Sequence, residues 1–283
     1  MVKTLNFSKM QALGNDFMVI DTFKQTFIPN KKMIQQWSDR HFGIGFDQML
    51  VISSPKDSSY DYHYQIFNAD GQEVGQCGNG ARCAAQYIHR YLHPQKSHFH
   101  LRTHTTDIQL ELLDGQVKIT LPCPHHEPAQ IPFDTDNIQT QYPLQLNHSK
   151  TINIHVINVG NPHAIMVVDN IHTIDIHKIG PQVENHPRFP EKCNVNFMQI
   201  INHQEIALRV WERGCGETLA CGSGALATAA AARLYHQMAS NITIHQEGGQ
   251  LNVYWPKLDG PIYQIGPAQE VYRGQLDVYL EDV

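Results

Sequence analysis

Nowhere in the 283 residues do two cysteines stand in Cys-x-x-Cys spacing, and the zinc-ribbon and thioredoxin-like readings fall with that absence. No stretch of about 18 uninterrupted apolar residues occurs, so no membrane span is expected. No block of like charge occurs either. The formal charge of −6, from 27 acidic and 21 basic residues, therefore points to neither nucleic acid nor a membrane surface as partner. The opening "MVKTLNFSKMQALGNDF" has no apolar h-region, so export is not expected. Six cysteines (77, 83, 123, 193, 215 and 221) in such a chain read as free thiols in a reducing compartment, the cytoplasm. The 18 histidines are scattered and "HFHLRTH" (98–104) alternates like a strand, so no metal site is expected.

What is present is a pattern that occurs twice. Strand-like runs occupy 4–10, 17–23, 61–67, 108–113 and 116–121, with Asp114-Gly115 as a hairpin turn between the last two. After Gly80 the apolar positions Cys83, Ala84, Tyr87, Ile88, Tyr91 and Leu92 recur at helical spacing. Residues 224–234 form a helix apolar nearly all round, which implies enclosure by other structure. "QCGNGARCAA" (76–85) is echoed by "ACGSGALATAA" (220–230), each at a strand-to-helix junction. Aligning Cys77 with Cys221 also aligns Gly14-Asn15 with Gly160-Asn161, Gln48 with Asn194, Asn68 with Glu212 and Asp114-Gly115 with Asp259-Gly260, at separations of 144 to 146. Two related domains follow. They are expected at 1–121, with the tail 267–283 returning as an extra strand, and at 122–266, and the Pro-rich 121–132 separates them.

A cysteine at the start of a helix sits in the field of unpaired backbone N–H groups, which favours thiolate. For one such cysteine, tight glycine packing is explanation enough; a repeated pair points to chemistry. The glycines let a ligand approach the main chain, so the N–H groups of Gly78, Asn79, Gly222 and Ser223 can cradle a carboxylate. A thiol on either face of an α-carbon is the arrangement of a two-base racemase, in which one sulfur takes a proton and the other delivers one. Cys83 is assigned to the core. Neither 57–95 nor 193–256 contains a lysine, so no pyridoxal Schiff base is expected from either motif region, and no cofactor is expected.

The motifs "MQALGNDF" (10–17), "FGIGFDQ" (42–48), "FNADGQEVGQCGNGARC" (67–83), "NVGNPHA" (158–164), "RFPEKCNVNF" (188–197) and "WERGCGETLACGSGA" (211–225) together resemble the diaminopimelate epimerase family over essentially the whole chain. The resemblance implies an α/β (α+β) fold of two pseudo-symmetric domains, each a barrel-like, mainly antiparallel sheet around a central helix. It implies cofactor-independent interconversion of LL- and meso-2,6-diaminopimelate, with Cys77 and Cys221 as acid and base and with His163 and Glu212 tuning them. It assigns substrate contacts to Asn15, Gln48, Asn68, Asn161, Asn194, Glu212 and Arg213, with the backbone at Gly78-Asn79 and Gly222-Ser223. Arg213 is suited to a two-pronged grip on the distal carboxylate. A homodimer with Tyr272 as a contact is implied as well. Cys215 departs from the family, which usually has alanine there, and adds a third thiol near the site. The rival readings are a proline or hydroxyproline racemase of the same fold, a non-catalytic amino-acid binder, and a thiol-redox or zinc protein.

Overall fold

The hairpin that opens the chain is set by its two-residue turn. β1 (Val2–Ala12) and β2 (Asn15–Asp21) pair antiparallel around Leu13 and Gly14, which both adopt positive φ, at 58° and 84°. That turn matches the right-handed twist of the strands. Glycine adopts it freely; Leu13 does so at a cost of order 1 kcal/mol, partly offset by burial of its side chain. In the computed structural model, residues 2–146 and 150–279 are described. They divide into two compact units, one holding the residues up to Thr120 with those from Gly266 onward, the other Leu121–Ile265.

In the first unit the chain crosses through α1 (Lys31–Ser38) to β3 (Gln48–Ser53), parallel to β2. It then runs through β4 (Tyr62–Asn68), the short β5 (Glu73–Val74), α2 (Gly78–Tyr91), β6 (His98–Arg102), β7 (Asp107–Leu113) and β8 (Gln116–Leu121). "FMVI" and "MLVI" are continuous apolar runs because β2 and β3 are covered on both faces. Met18, Ile20, Met49 and Val51 pack with Met33, Ile34 and Trp37 of α1. Phe17, Leu50 and Tyr64 face Gly80 of α2. The β7–β8 hairpin turns at Asp114 (φ 37°) and Gly115 (φ 83°), as the Asp-Gly signal predicts.

The second unit contains β9 (Tyr142–Leu146), β10 (Lys150–Asn158), β11 (Pro162–Val167), α3 (Ile176–Glu184), β12 (Asn194–Asn202), β13 (Glu205–Glu212), β14 (Gly216–Thr218), α4 (Gly222–Tyr235), β15 (Asn241–Gln246), β16 (Gly249–Tyr254) and β17 (Ile262–Pro267). From β10 to β17 its order of strands and helices repeats that of β1 to β8. The parallel pairs recur too, β11 with β12 as β2 with β3, and β13 with β15 as β4 with β6. The other pairs within each unit are antiparallel, so each unit is a mainly antiparallel sheet with a central helix. α4 is buried from Gly224 to Ala232, and its alanines let the sheet approach on all sides.

Asp259-Gly260 falls in the matching connection, the loop 255–261 between β16 and β17, but neither residue has positive φ, so the turn differs in form from that at Asp114-Gly115. A seven-residue connection relieves the demand for left-handed backbone that a two-residue hairpin makes.

The last strand, β18 (Gln269–Tyr279), pairs antiparallel with β1 over its length, with a bulge at Lys9/Met10. β9 stands in the same relation to β10. Among the described residues no helix is long and apolar enough to cross a membrane.

Candidate active site

Both motif cysteines are helix N-caps. Cys77 is extended (φ −153°, ψ 109°) and its sulfur accepts the Gly80 N–H at 3.3 Å. Cys221 (φ −120°, ψ 117°) accepts the Gly224 N–H, also at 3.3 Å. Ser, Thr, Asn or Asp usually fills this position; here a thiol does, which puts the sulfur where the unpaired N–H groups of the first turn converge. Gly80 is required by packing, since a Cβ there would lie 2.5 Å from the Tyr64 hydroxyl, and one on Gly224 would lie 2.9 Å from Val210 Cγ2.

Beside Cys77 the first unit places Asn15 and Asn79, with Gln48 and Asn68 at the ends of β3 and β4. The thiol points to Asn15 Oδ1 at 3.9 Å, and Asn79 Nδ2 donates to the same oxygen at 3.3 Å. Gln48 and Asn68 are cross-strand partners, with Gln48 Nε2 donating to Asn68 Oδ1 at 2.8 Å. Gln48 Oε1 is buried and has no hydrogen-bond partner among the described residues. Asn15 is held from behind, as its Nδ2 donates to Asp47 Oδ2 at 2.9 Å. Asp47 in turn pairs with Arg40, which also grips Asp16 with both arms. Burial opposes ionisation of Asp16, but Arg40 and Lys9 hold its carboxyl well below the usual carboxylate range.

Around Cys221 the second unit gathers Glu212, Ser223, Asn161 and His163. The Cys221 thiol donates to Glu212 Oε2 at 3.2 Å, and Glu212 Oε1 accepts the Thr218 hydroxyl at 2.6 Å. Burial first, and the Glu212 charge second, push the Cys221 thiol well up, against the pull of Ser223 and the Gly224 N–H. His163 is fully buried and its pKa is lowered to about 4, chiefly by burial, with the Asn196 bond opposing and the Arg213 charge assisting. It is therefore neutral near pH 7.

Asn196 Nδ2 is committed to the Gly224 carbonyl and Thr228 Oγ1, both at 2.9 Å, so its Oδ1 accepts from His163 Nδ1 at 3.1 Å. This leaves a lone pair on Nε2, 3.1 Å from the Asn161 amide. A neutral imidazole then requires Asn161 to turn its NH₂ toward His163 and its oxygen toward Ser223 Oγ, the amide atom now facing Ser223 being 3.4 Å away. Asn194 orients the next loop, its Oδ1 accepting the Arg213 N–H at 2.9 Å. Arg213 is exposed, with one arm on the Glu191 carbonyl at 2.8 Å.

Cys83 is buried in α2. Cys215 is exposed on the loop after β13, and its thiol is pushed up by partial desolvation of the sulfur and by Glu212 and Glu184. Tyr272 lies on β18, 46% exposed, edge-on to Phe7. Sequence reading missed Asp47, Asn196 and Thr218. Asn196 had a signal, because it stands two places after Asn194 and so points to the same side of β12. Asp47 and Thr218 had none, since their partners are 32 and 6 positions away across the sheet.

These two units, each with a thiol at the cap of its central helix, define the class, that of the epimerase-type two-unit fold. A hydroxyproline epimerase from Agrobacterium vitis shares the fold, with a TM-score of 0.67 over 97% of this chain and 93% of that one, at 13% identity. The sequence profile of the diaminopimelate epimerases matches residues 7–131 and 155–271. A diaminopimelate epimerase from Legionella pneumophila (strain Paris) is 48% identical over 273 residues, 96% of this chain and 99% of that protein. One from Azotobacter vinelandii is 43% identical over the same shares. The chain belongs to the diaminopimelate epimerase family.

Proposed function

We propose that the protein interconverts LL- and meso-2,6-diaminopimelate, in lysine and peptidoglycan precursor synthesis, with Cys77 and Cys221 as the two bases. The observation that carries the reading is the matched pair of capping sulfurs, each 3.3 Å from the N–H of the third residue onward, in a chain of this family. In one direction a thiolate removes the α-proton, so that a C–H bond breaks and an S–H bond forms. The electron pair moves into the carboxylate as an enediolate, opposed by the N–H groups of Gly78, Asn79, Gly222 and Ser223. The second thiol then gives its proton to the opposite face, and the roles exchange for the reverse reaction. Glu212, by accepting from Cys221, keeps that sulfur protonated until the carbanion forms. His163 acts on the same sulfur indirectly, through Asn161 and Ser223.

Asn15, Gln48, Asn68, Asn161, Asn194, Glu212 and Arg213 contact the substrate, whose distal centre keeps its configuration and so needs a chirality-specific set of polar contacts. Arg213 takes the distal carboxylate with its remaining donors. We also infer domains at 1–121 with 267–283 and at 122–266, a reading the division into compact units supports. A cytoplasmic homodimer with Tyr272 as a contact completes the proposal; exposed Val271 and Tyr272 on β18 support the contact.

The test is incubation with LL-diaminopimelate in heavy water without added cofactor. The expected product is meso, deuterated at a single α-carbon, and Cys77→Ala or Cys221→Ala should each lower the rate by roughly 10²-fold or more. Turnover of proline with none of diaminopimelate would sink the assignment.

A further inference from the structure

Three residues, 213–215, join β13 to β14. The Cys215 N–H closes a turn on the Glu212 carbonyl at 3.1 Å. Gly214 has φ 77° while Arg213 keeps a negative φ, which is the pattern of a type II turn. Type II differs from type I in which way the central peptide faces, and that peptide is the one joining Arg213 to Gly214.

The central peptide is held by α3. Gly180 lets the helix seat directly on Trp211, since a Cβ there would lie 2.5 Å from the indole Cγ. One helical turn further on stands Glu184, only 6% exposed. Its Oε1 accepts the Gly214 N–H at 2.9 Å and its Oε2 accepts Trp211 Nε1–H at 2.7 Å. On the other side of Arg213, its own N–H is held by Asn194 Oδ1 at 2.9 Å. The Cα that carries the guanidinium is therefore pinned through both of its peptides.

We infer that Glu184 is a positioning residue for substrate binding, fixing the peptide after Arg213 so that the guanidinium is presented to the distal carboxylate. The assignment rests on the role of Arg213 in the diaminopimelate reading above and deepens it.

Satisfying one N–H does not call for such a residue. Gly214 is exposed, so water could take its N–H, whereas burying a carboxylate is costly. What the carboxylate adds is direction. Two donors, one from the indole and one from the turn, converge on it, and each takes a separate oxygen. A carboxylate accepts both, but a carboxamide has a single acceptor oxygen and must set its NH₂ against one of them. Glutamine at 184 would thus release either the indole or the turn.

The test measures KM and kcat for diaminopimelate with the full-length chain, and amide exchange of Gly214 by NMR without substrate. Glu184→Gln is expected to raise KM by roughly tenfold, as for one charge-assisted contact misplaced, with kcat changed far less. Gly214 exchange should quicken. Trp211→Phe alone leaves Glu184 on Gly214 and should keep KM near wild type. Combined with Glu184→Gln it removes the competing donor, so the glutamine oxygen can take the Gly214 N–H, and both KM and exchange should return toward wild type. A merely structural Glu184 predicts the opposite, a double variant worse than the single one. Gly214→Ala reaches the same turn independently: an added Cβ meets nothing within 4 Å, so the change acts through φ alone and should also raise KM. Unchanged KM in folded Glu184→Gln or in Gly214→Ala, or no rescue by Trp211→Phe, overturns the inference. If Glu184→Gln does not fold, the double variant and Gly214→Ala decide it. A wild-type chain inactive on diaminopimelate would sink the substrate reading instead, and unchanged Gly214 exchange in Glu184→Gln would then overturn the pinning itself.

Discussion

At the level of single residues, a capping sulfur is pulled in two directions. The Gly224 N–H favours charge on Cys221, while burial and Glu212 at 3.2 Å favour the proton. A buried, uncharged His163 extends the same logic to stability. Its folded pKa of about 4 lies below the ordinary value of 6.5, so between those values the unfolded chain binds more protons than the folded one. The contribution is therefore complete above pH 6.5 and is lost as pH falls toward 4, amounting to roughly 3 kcal/mol at most. His155 and His236, also lowered mainly by burial, act in the same direction. Urea unfolding at pH 7 and pH 5 should show a smaller loss for His163→Gln than for wild type; equal losses would refute the assignment. The cysteines were legible because their motif recurs. The committed amide of Asn196, which fixes the imidazole tautomer, was not, because its partners come from β11 and α4.

At the level of elements, the strand-to-helix junction depends on glycine for space. A Cβ at Gly80 would meet the Tyr64 hydroxyl at 2.5 Å, Leu50 at 3.1 Å and Phe17 at 3.3 Å. Gly80→Ala should cost about 1 to 3 kcal/mol and displace Cys77 with the first turn of α2. Adding Tyr64→Phe removes the closest atom and should recover part of that loss in a double-mutant cycle of thermal unfolding; strict additivity would show that the hydroxyl is not the obstacle. Among elements, α2, α4 and the strands β1, β2, β4, β6, β7 and β8 were readable from the sequence pattern, while β3 and the short β5 were not read. α1 and α3 were not, since eight and nine residues give too few turns for a clear stripe. The second Asp-Gly pair marked the matching connection but not its length, because turn residues mark a loop without fixing how long it is.

For the whole molecule, the first unit is closed by the end of the chain. β18 covers the edge of β1, Leu276 and Val278 pack on the core, and Glu270 accepts from Ser8, Arg90 and Tyr91. Truncation after Ala268 removes all of these. Hydrogen exchange should then show lost protection in β1 to β4 with β10 to β13 largely kept, and the bared β1 edge should promote association. Uniform loss across both units would contradict this division.

Family, repeat and the pair of cysteines at the helix starts could be read without coordinates, because residue type, spacing and recurrence are properties of one dimension. What folding added is the set of groups beside each sulfur. The approach of Asn15 to Cys77 from β2, and of Glu212 to Cys221 from the end of β13, exists only once helix and sheet have packed. Electrostatic effects fall with distance in space and not with separation along the chain, so identical motifs acquire different chemistry.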